Sequence, residues 1–171
     1  MAVREILQLG HPTLWQIAEA VADPSVTEVK RVVTDLSDTL ADFRARHAFG
    51  RGIAAPQIGV LKRIIYVRME SASFDGPLFN PEIIWRSDNL ITVWDNCFSF
   101  PDLMVRLTRA ENIKVRFQAI DGVNQEIDAQ GDLSELLQHE IDHLDGILAT
   151  DRATSARDFM TRSEWLRHFA R

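Results

Sequence analysis

The chain has 171 residues, 46% of them hydrophobic, enough for one buried core and too few for two, so we expect a single domain over residues 1–171. The formal net charge of -6 argues against DNA or an anionic membrane surface as a partner, and no segment approaches the roughly 20 apolar residues of a membrane span. The N-terminus has no signal-peptide pattern and Cys97 is the single cysteine, so an intrachain disulfide is excluded and a cytoplasmic location is expected.

The first predicted element is a helix that follows Asp23 and Pro24, which together form a cap and first-turn signal. Apolar residues then recur at three- and four-residue steps, and the pattern stops before Gly50. These apolar residues are Val26, Val29, Val33, Leu36, Leu40 and Phe43.

The next segment, GRGIAAPQIG at 50–59, combines small residues with a glutamine. The glycines permit close approach by another backbone, the alanines keep side chains out of the way, and the Gln57 amide can donate to an oxyanion. As a phosphate-binding loop it is a weak match, because it lacks the third glycine and the Lys-Ser/Thr pair of the known fingerprints. A plain turn is the alternative interpretation.

The middle of the chain changes period to short runs rich in Ile and Val, separated by Asp, Asn, Gly or Pro. These predicted strands are RIIYVRM, EIIWRSD, LITVW, MVRLTR and NIKVRFQAI. The pair Asp121-Gly122 predicts a hairpin between the strands on either side. Helical spacing returns at 132–145 and in the tail TSARDFMTRSEWLRHFAR, where Ser155 can act as a cap. Helices at both ends of mainly antiparallel strands predict an α+β domain.

The segment LLQHEIDHLDG, within the helix predicted at 132–145, carries the pattern His-Glu-x-x-His. Residues four apart share a helix face, so His139 and His143 come close enough to bind one cation. Glu140 then lies beside the first ligand and can act as general base or acid on a metal-bound water. Two histidines on a solvated face are the alternative interpretation.

A catalytic metal needs a third protein ligand, and the chain must supply it from outside this helix. Spacing cannot choose among the candidates, because a distant ligand arrives through the fold. A thiolate is a strong ligand for zinc or ferrous iron, so the chemistry favours the cysteine, although a lone cysteine can also be a buried small hydrophobe. Besides several carboxylates, the candidates are Cys97, His11, His47 and His168.

Three motifs stand in order along the chain: Gly-x-Gly-x-Ala-Ala-Pro-Gln, a Cys followed by an apolar residue and Ser, and HEIDHL. Together they resemble the peptide deformylase family, and the resemblance runs from ILQLGHPTL through RAENIKVRFQAIDG to QHEIDHLDGIL. It implies mainly antiparallel strands around a central metal-binding helix, with N-terminal helices and a C-terminal helix. It also implies a metallohydrolase that removes the formyl group from N-formylmethionyl peptides emerging from the ribosome.

The resemblance assigns roles to particular residues. Glu140 would handle the proton of the metal-bound water, while Gln57 and the backbone N–H of Phe98 would donate to the formyl oxygen. The substrate peptide would lie along Gly50–Gly52 as an added strand. One divalent ion, usually Fe²⁺ in the cell with Zn²⁺ or Ni²⁺ as substitutes, would be held by Cys97, His139 and His143.

The chain departs from the family pattern around the peptide groove. The family's Glu-Gly-Cys-Leu-Ser is replaced by DNCFS, in which Asn96 can keep the backbone shape, since asparagine tolerates positive φ, but adds a side chain beside the groove. Arg51 stands between the two glycines, where the family has Val or Ile, and places a cation at the groove's rim.

The largest departure from the family pattern is on the helix predicted at 132–145. Asp132, Glu135 or Leu136, and the histidines follow three- and four-residue steps, so their face continues from the metal into the side-chain pocket. In the family the position of Asp132 is apolar and holds the substrate methionine, and that of Glu135 is apolar or basic. Either both acids point to solvent, with Asp132 capping the helix, or the pocket prefers a side chain other than methionine.

Other functions stay open. Weakened activity on formylmethionyl peptides is the expectation from these substitutions, and the alternatives are a deformylase-like protein that acts on other N-acyl peptides or binds them with little turnover. The tail could dock on ribosomal RNA, whereas a solvated helix with cations near its C-terminal end is the simpler interpretation. Its basic residues are Arg152, Arg157, Arg162, Arg167 and Arg171.

Overall fold

The computed structural model describes residues 3–169. Within them, the α-helices are α1 (Thr27–His47), α2 (Gly131–Leu144) and α3 (Arg162–His168). The strands are β1 (Gly52–Ala54), β2 (Ile64–Met69), β3 (Phe74–Arg86), β4 (Leu90–Cys97), β5 (Phe100–Ala110), β6 (Asn112–Gln118), β7 (Asn124–Gln130) and β8 (Phe159–Thr161). Over these residues, no helix is both long enough and apolar enough to cross a membrane.

The strands form two sheets, one ordered β1-β2-β3-β6-β7 and the other β4-β5-β8. Every pairing between these strands is antiparallel, which confirms the α+β prediction. The hairpin predicted at Asp121-Gly122 is confirmed as well. It joins β6 to β7, with Gln118 opposite Asn124 and a positive φ of 80° at Gly122, a backbone conformation that glycine adopts without strain.

Helix α2 is buried along almost its whole length, with every residue from Ser134 to Leu144 in the interior. Its apolar side chains join the core of the larger sheet, and Leu137 and Leu144 are almost completely enclosed. Burying a leucine contributes about 1.5–3 kcal/mol, so this packing can offset the cost of enclosing the helix's polar residues. The histidines and carboxylates of α2 are therefore held at fixed positions inside the protein.

Helix α1 begins later than the sequence pattern predicts. The Asp23 carboxylate accepts hydrogen bonds from the backbone N–H and the hydroxyl of Ser25, which holds a turn at 23–25, and the helix starts at Thr27. Its buried residues Leu36, Leu40 and Phe43 pack with Ile53, Phe98 and other residues in a second core cluster.

The tail differs from the prediction of one continuous helix. Ser155 does act as a cap, but of a short 3-10 turn at Ala156–Asp158, and the chain then pairs with the edge of β5 as β8. A new helix, α3, starts after Thr161, whose hydroxyl accepts from the backbone N–H of Glu164 at 3.4 Å. Backbone pairing with β5 has overridden the helical pattern of Phe159–Thr161. Arg171 lies outside the described residues.

Candidate active site

The loop after α1, the end of β4 and the buried helix α2 meet at a cavity of about 310 Å³. Most of the residues singled out from the sequence line this cavity. They are Gly50, Arg51, Gly52, Gln57, Asn96, Cys97, Phe98, Glu135, Leu136, His139 and Glu140.

Cys97, His139 and His143 form one cluster at the end of the cavity, with their ligand atoms all within 4.8 Å of one another. The Nε2 of His143 lies 3.2 Å from both the Sγ of Cys97 and the Nε2 of His139. Edges of about 3.3–3.6 Å follow from the bond lengths of a tetrahedral zinc site with sulfur and nitrogen ligands, so the three donors fit one divalent ion. All three residues are buried.

Two local features place the cluster's side chains. The histidines are one helical turn apart on α2, and Cys97 ends β4 just after a register shift in its pairing with β5. Such bulges re-aim a side chain at the rim of a sheet. Among the third-ligand candidates considered from the sequence, only Cys97 is in the cluster. His11 caps a 3-10 turn at its start, and His47 stacks on Phe43.

A buried carboxylate fixes the orientation of His139. The Nδ1 of His139 lies 2.9 Å from Asp95, and this hydrogen bond leaves Nε2 facing the cluster. Burial opposes ionisation of Asp95, but the charges of His139 and Arg109 and their hydrogen bonds outweigh it and lower the pKa of Asp95 to about 2. The carboxylate is therefore ionised at neutral pH.

Arg109 connects Asp95 to a second acid on the metal helix. Its guanidinium donates to Asp95 at 2.9 Å and to Asp142 at 2.8 Å, and its side chain is 2% exposed. Arg152 donates to the same Asp142 carboxylate. No spacing pattern in the sequence indicates this chain of charges, although the Asp within HEIDHL is a signal: a buried acid on α2 needs a cation, and Arg109 supplies it.

Glu140 lies beside the cluster with little to hold its charge. The side chain is buried, and its Oε2 has no hydrogen-bond partner within residues 3–169. Burial raises the pKa of Glu140 to about 7, which suits a group that takes and returns protons near neutrality. A Cβ added at Gly52 would lie 2.6 Å from the Glu140 Oε1, so only glycine leaves room for this carboxylate.

Gln57 and Phe98 also line the cavity, next to Cys97. The Oε1 of Gln57 accepts from the backbone N–H of Ala54 at 2.9 Å, which turns its Nε2 toward Cys97, 3.3 Å away. The Phe98 ring stacks on Phe43 with centroids 3.8 Å apart and covers Gly50, where an added Cβ would meet the ring. The ring packing fixes the backbone at this end of β4.

The two acids predicted for the side-chain pocket separate in the structure. Glu135 is buried and pairs with Arg51 at 2.5 Å. Asp132 is exposed and does not line the cavity, although its backbone carbonyl accepts from Arg51 at 3.4 Å. It does not cap α2 either, because Gln130 occupies the cap position without a side-chain hydrogen bond. Asn96 lies within β4 and is not among the residues with positive φ.

Comparisons with known proteins converge on one group. The sequence profile of the family described as Polypeptide deformylase matches residues 3–159. Peptide deformylase 2 of Clostridium perfringens is 39% identical over 157 residues, covering 90% of this chain and 94% of that protein. A crystal structure of a peptide deformylase from Legionella pneumophila has a TM-score of 0.82 and 34% identity, covering 92% of this chain and 89% of that one. One from Synechococcus elongatus, in complex with actinonin, has a TM-score of 0.81 and 29% identity, covering 91% and 81%.

Proposed function

The chain belongs to the peptide deformylase family, and from that premise we propose that it is a metal-dependent amide hydrolase that removes the N-formyl group from N-formylmethionyl peptides of nascent proteins. One observation carries the proposal: the Cys97, His139 and His143 donors meet in one cluster, with the unpartnered Glu140 carboxylate in the same cavity. This set combines a cation site with a group for proton transfer.

Cys97, His139 and His143 would hold one divalent ion, which we propose to be Fe²⁺, with Zn²⁺ or Ni²⁺ as substitutes. Thiolate and imidazole ligands suit these metals. When bound, the ion supplies Lewis acidity toward water and toward the formyl carbonyl.

The remaining steps fall to the side chains and the backbone. Glu140 takes a proton from the attacking water and returns it to the leaving nitrogen, so that the carbon–nitrogen bond breaks and formate and a free amine are released. The Nε2 of Gln57 and the N–H of Phe98 donate to the formyl oxygen as its charge develops. The support for these roles is that both residues line the cavity beside Cys97.

The substrate backbone would add to the sheet along Gly50–Gly52. Among the strands of residues 3–169, β1 is at the edge of its sheet and pairs with β2 alone, and it borders the cavity through Gly52. An edge strand offers unpaired backbone groups to an extended peptide. This arrangement would place the formyl group near the cluster and the first side chain toward α2.

We also propose that residues 1–171 form one domain that acts in the cytoplasm.

A contact between the tail and the ribosome would use arginines that already have partners. On α3, Arg167 pairs with Glu164 at 2.6 Å and Arg162 lies 4.4 Å above the Phe49 ring, so both cations have partners within the chain. Co-sedimentation with ribosomes before and after deletion of residues 162–171 tests this contact, and equal co-sedimentation would contradict it.

Formate release by Fe²⁺-loaded protein, measured on N-formyl and N-acetyl tripeptides with metal content determined in parallel, tests the function. We expect one metal ion per chain and turnover of the N-formyl peptides alone. Turnover of N-acetyl peptides would instead support a hydrolase of other N-acyl groups. Metal binding with no turnover on any peptide would support a protein that binds blocked peptides.

A further inference from the structure

A charged pair forms part of the wall of the active-site cavity. Arg51 comes from the edge segment Gly50–Gly52 and Glu135 from α2, 84 positions apart in sequence, and the NH2 of Arg51 lies 2.5 Å from the Oε2 of Glu135. The Glu135 side chain is 9% exposed and that of Arg51 is 41% exposed. Both residues line the cavity, so the pair faces whatever enters it.

The pair lies where the first side chain of the substrate would go. If the formyl group is near His139 and the peptide backbone follows Gly50–Gly52, the first side chain extends between that segment and the turn of α2 just before His139. Glu135 and Leu136 occupy this turn. This placement rests on the proposed function.

An unbranched apolar side chain fits poorly against this pair. A thioether would strip water from the Arg51 guanidinium without offering it an acceptor, and separating the pair would leave the Glu135 carboxylate buried and uncompensated. Leu136 and Phe49 supply apolar contact in the cavity, but they leave the charged part of the wall uncovered.

Charged side chains fit poorly as well. An acidic side chain would approach the arginines of the cavity, Arg44 and Arg51, but also meet its carboxylates. A basic one would approach those carboxylates but also meet the arginines. The carboxylates that line the cavity are Asp95, Glu135 and Glu140. A neutral acceptor avoids both conflicts. Besides its contacts with Glu135 and the Asp132 carbonyl, the Arg51 guanidinium has no hydrogen-bond acceptor within residues 3–169, so N–H donors remain for a substrate.

We propose that the Arg51–Glu135 pair sets the order of substrate preference. Among N-formyl peptides, those whose first side chain is neutral and ends in a hydrogen-bond acceptor are processed faster than N-formylmethionyl peptides, which remain substrates. Two side chains of about this length carry such an oxygen: glutamine, through its amide, and methionine sulfoxide, the oxidised form of methionine. The ion pair stays intact while the oxygen accepts from Arg51.

Steady-state rates on four N-formyl tripeptides that differ only in the first residue test the proposal. The residues are methionine, norleucine, glutamine and methionine sulfoxide. We expect kcat/KM for at least one oxygen-bearing peptide to exceed that for methionine and norleucine about tenfold or more, because a site that offers a hydrogen bond discriminates strongly against a ligand that cannot use it. The better of the two identifies the acceptor. Equal rates, or a preference for methionine or norleucine, would overturn the proposal.

Two variants isolate the pair. The double substitution Arg51→Ile with Glu135→Ile is expected to reverse the preference toward methionine. Replacing Lys114 and Asp128, a cross-strand pair between β6 and β7, with leucine removes an ion pair without touching the cavity and should leave the preference unchanged. If the first double variant does not fold, Arg51→Met, which removes the N–H donors and keeps much of the side chain's length, should lower the preference by at least threefold. An unchanged preference in a folded variant would overturn the proposal.

Binding separates this inference from the proposed function. Metal-loaded Glu140→Gln protein, titrated calorimetrically with the same four peptides, is expected to bind an oxygen-bearing peptide about tenfold more tightly than the methionine peptide. That order would support the inference even if the wild type released no formate, which would contradict the proposed function alone. Equal affinities would overturn the inference whatever the turnover.

Discussion

Two arginines hold buried carboxylates near the cluster of Cys97, His139 and His143, and the two differ in how far their own side chains are exposed. Arg109 is 2% exposed and lies between Asp95 and Asp142, so both acids are compensated inside the protein. Arg51 is 41% exposed, and its partner Glu135 faces the cavity. The enclosed network of Arg109, Asp95 and Asp142 supports the fold and the orientation of His139. The Arg51–Glu135 pair is open to whatever enters the cavity. Burial thus separates a structural role from a recognition role for the same chemistry.

The largest effect is expected from Arg109→Met, which removes the cation from the enclosed network. Asp95 and Asp142 would then be buried without full compensation, and loss of one partner of a buried pair costs about 3–5 kcal/mol. We expect the free energy of unfolding, measured in urea, to fall by about this amount. Arg116→Met, at an exposed pair with Glu126, is the matched control and should change it by less than about 1 kcal/mol. Equal losses in the two variants would contradict the distinction.

Asp95→Asn should act mainly on metal binding. The substitution weakens the acceptor that orients the His139 ring, and loss of such a partner typically lowers metal affinity about 10–100-fold. Competition with a chelator for Zn²⁺ measures the affinity directly. Asp128→Asn, at an exposed acid on β7, is the control. Unchanged affinity in Asp95→Asn would show that the ring orientation does not depend on this hydrogen bond.

Acid should lower the stability that the buried network of Asp95, Arg109 and Asp142 provides. The pKa of Asp95 is held at about 2, below its ordinary 3.8, so its contribution to stability is present above about pH 4 and is lost as the pH falls toward 2. A shift of this size corresponds to roughly 2 kcal/mol. Urea unfolding of the metal-free protein between pH 6 and 3 should therefore show a steeper loss for the wild type than for Asp95→Asn. Parallel curves would contradict this assignment.

Glu135→Gln should have the smallest effect on stability. Its partner Arg51 is partly solvated, and burial already raises the pKa of Glu135, so the pair contributes little net stabilisation. We expect the free energy of unfolding to change by less than about 1 kcal/mol. A loss of unfolding free energy as large as that of Arg109→Met would show that the Arg51–Glu135 pair also supports the fold.

Local patterns in the sequence predicted the parts of the structure that depend on local physics. The 3.6-residue period gave the helix at 132–145, observed at Gly131–Leu144, and Asp121-Gly122 gave the hairpin. The prediction of a helix in the first half of the tail was wrong. Phe159–Thr161 pairs with β5, and helical periodicity cannot reveal such a long-range contact.

In the candidate site, too, local patterns were predictable and long-range contacts were not. The chemistry of Cys97 and the His-Glu-x-x-His pattern indicated three donors, and the structure places them in one cluster. Arg51 and Glu135 were singled out separately, but their contact joins positions 84 residues apart, and no spacing rule connects them. Arg109 was missed for the same reason, since only the fold brings β5 against α2.

Wild type and Glu140→Gln, compared at equal metal content, give the most direct test of Glu140 as the general base. Both proteins are expected to bind one ion per chain. The variant is expected to lose at least a hundredfold in kcat for formate release, the lower end of what a positioned general base contributes. Glu126→Gln, at an exposed acid on β7, should retain the wild-type rate. A metal-loaded Glu140→Gln protein that releases formate as fast as the wild type would show that Glu140 is not the general base of the reaction.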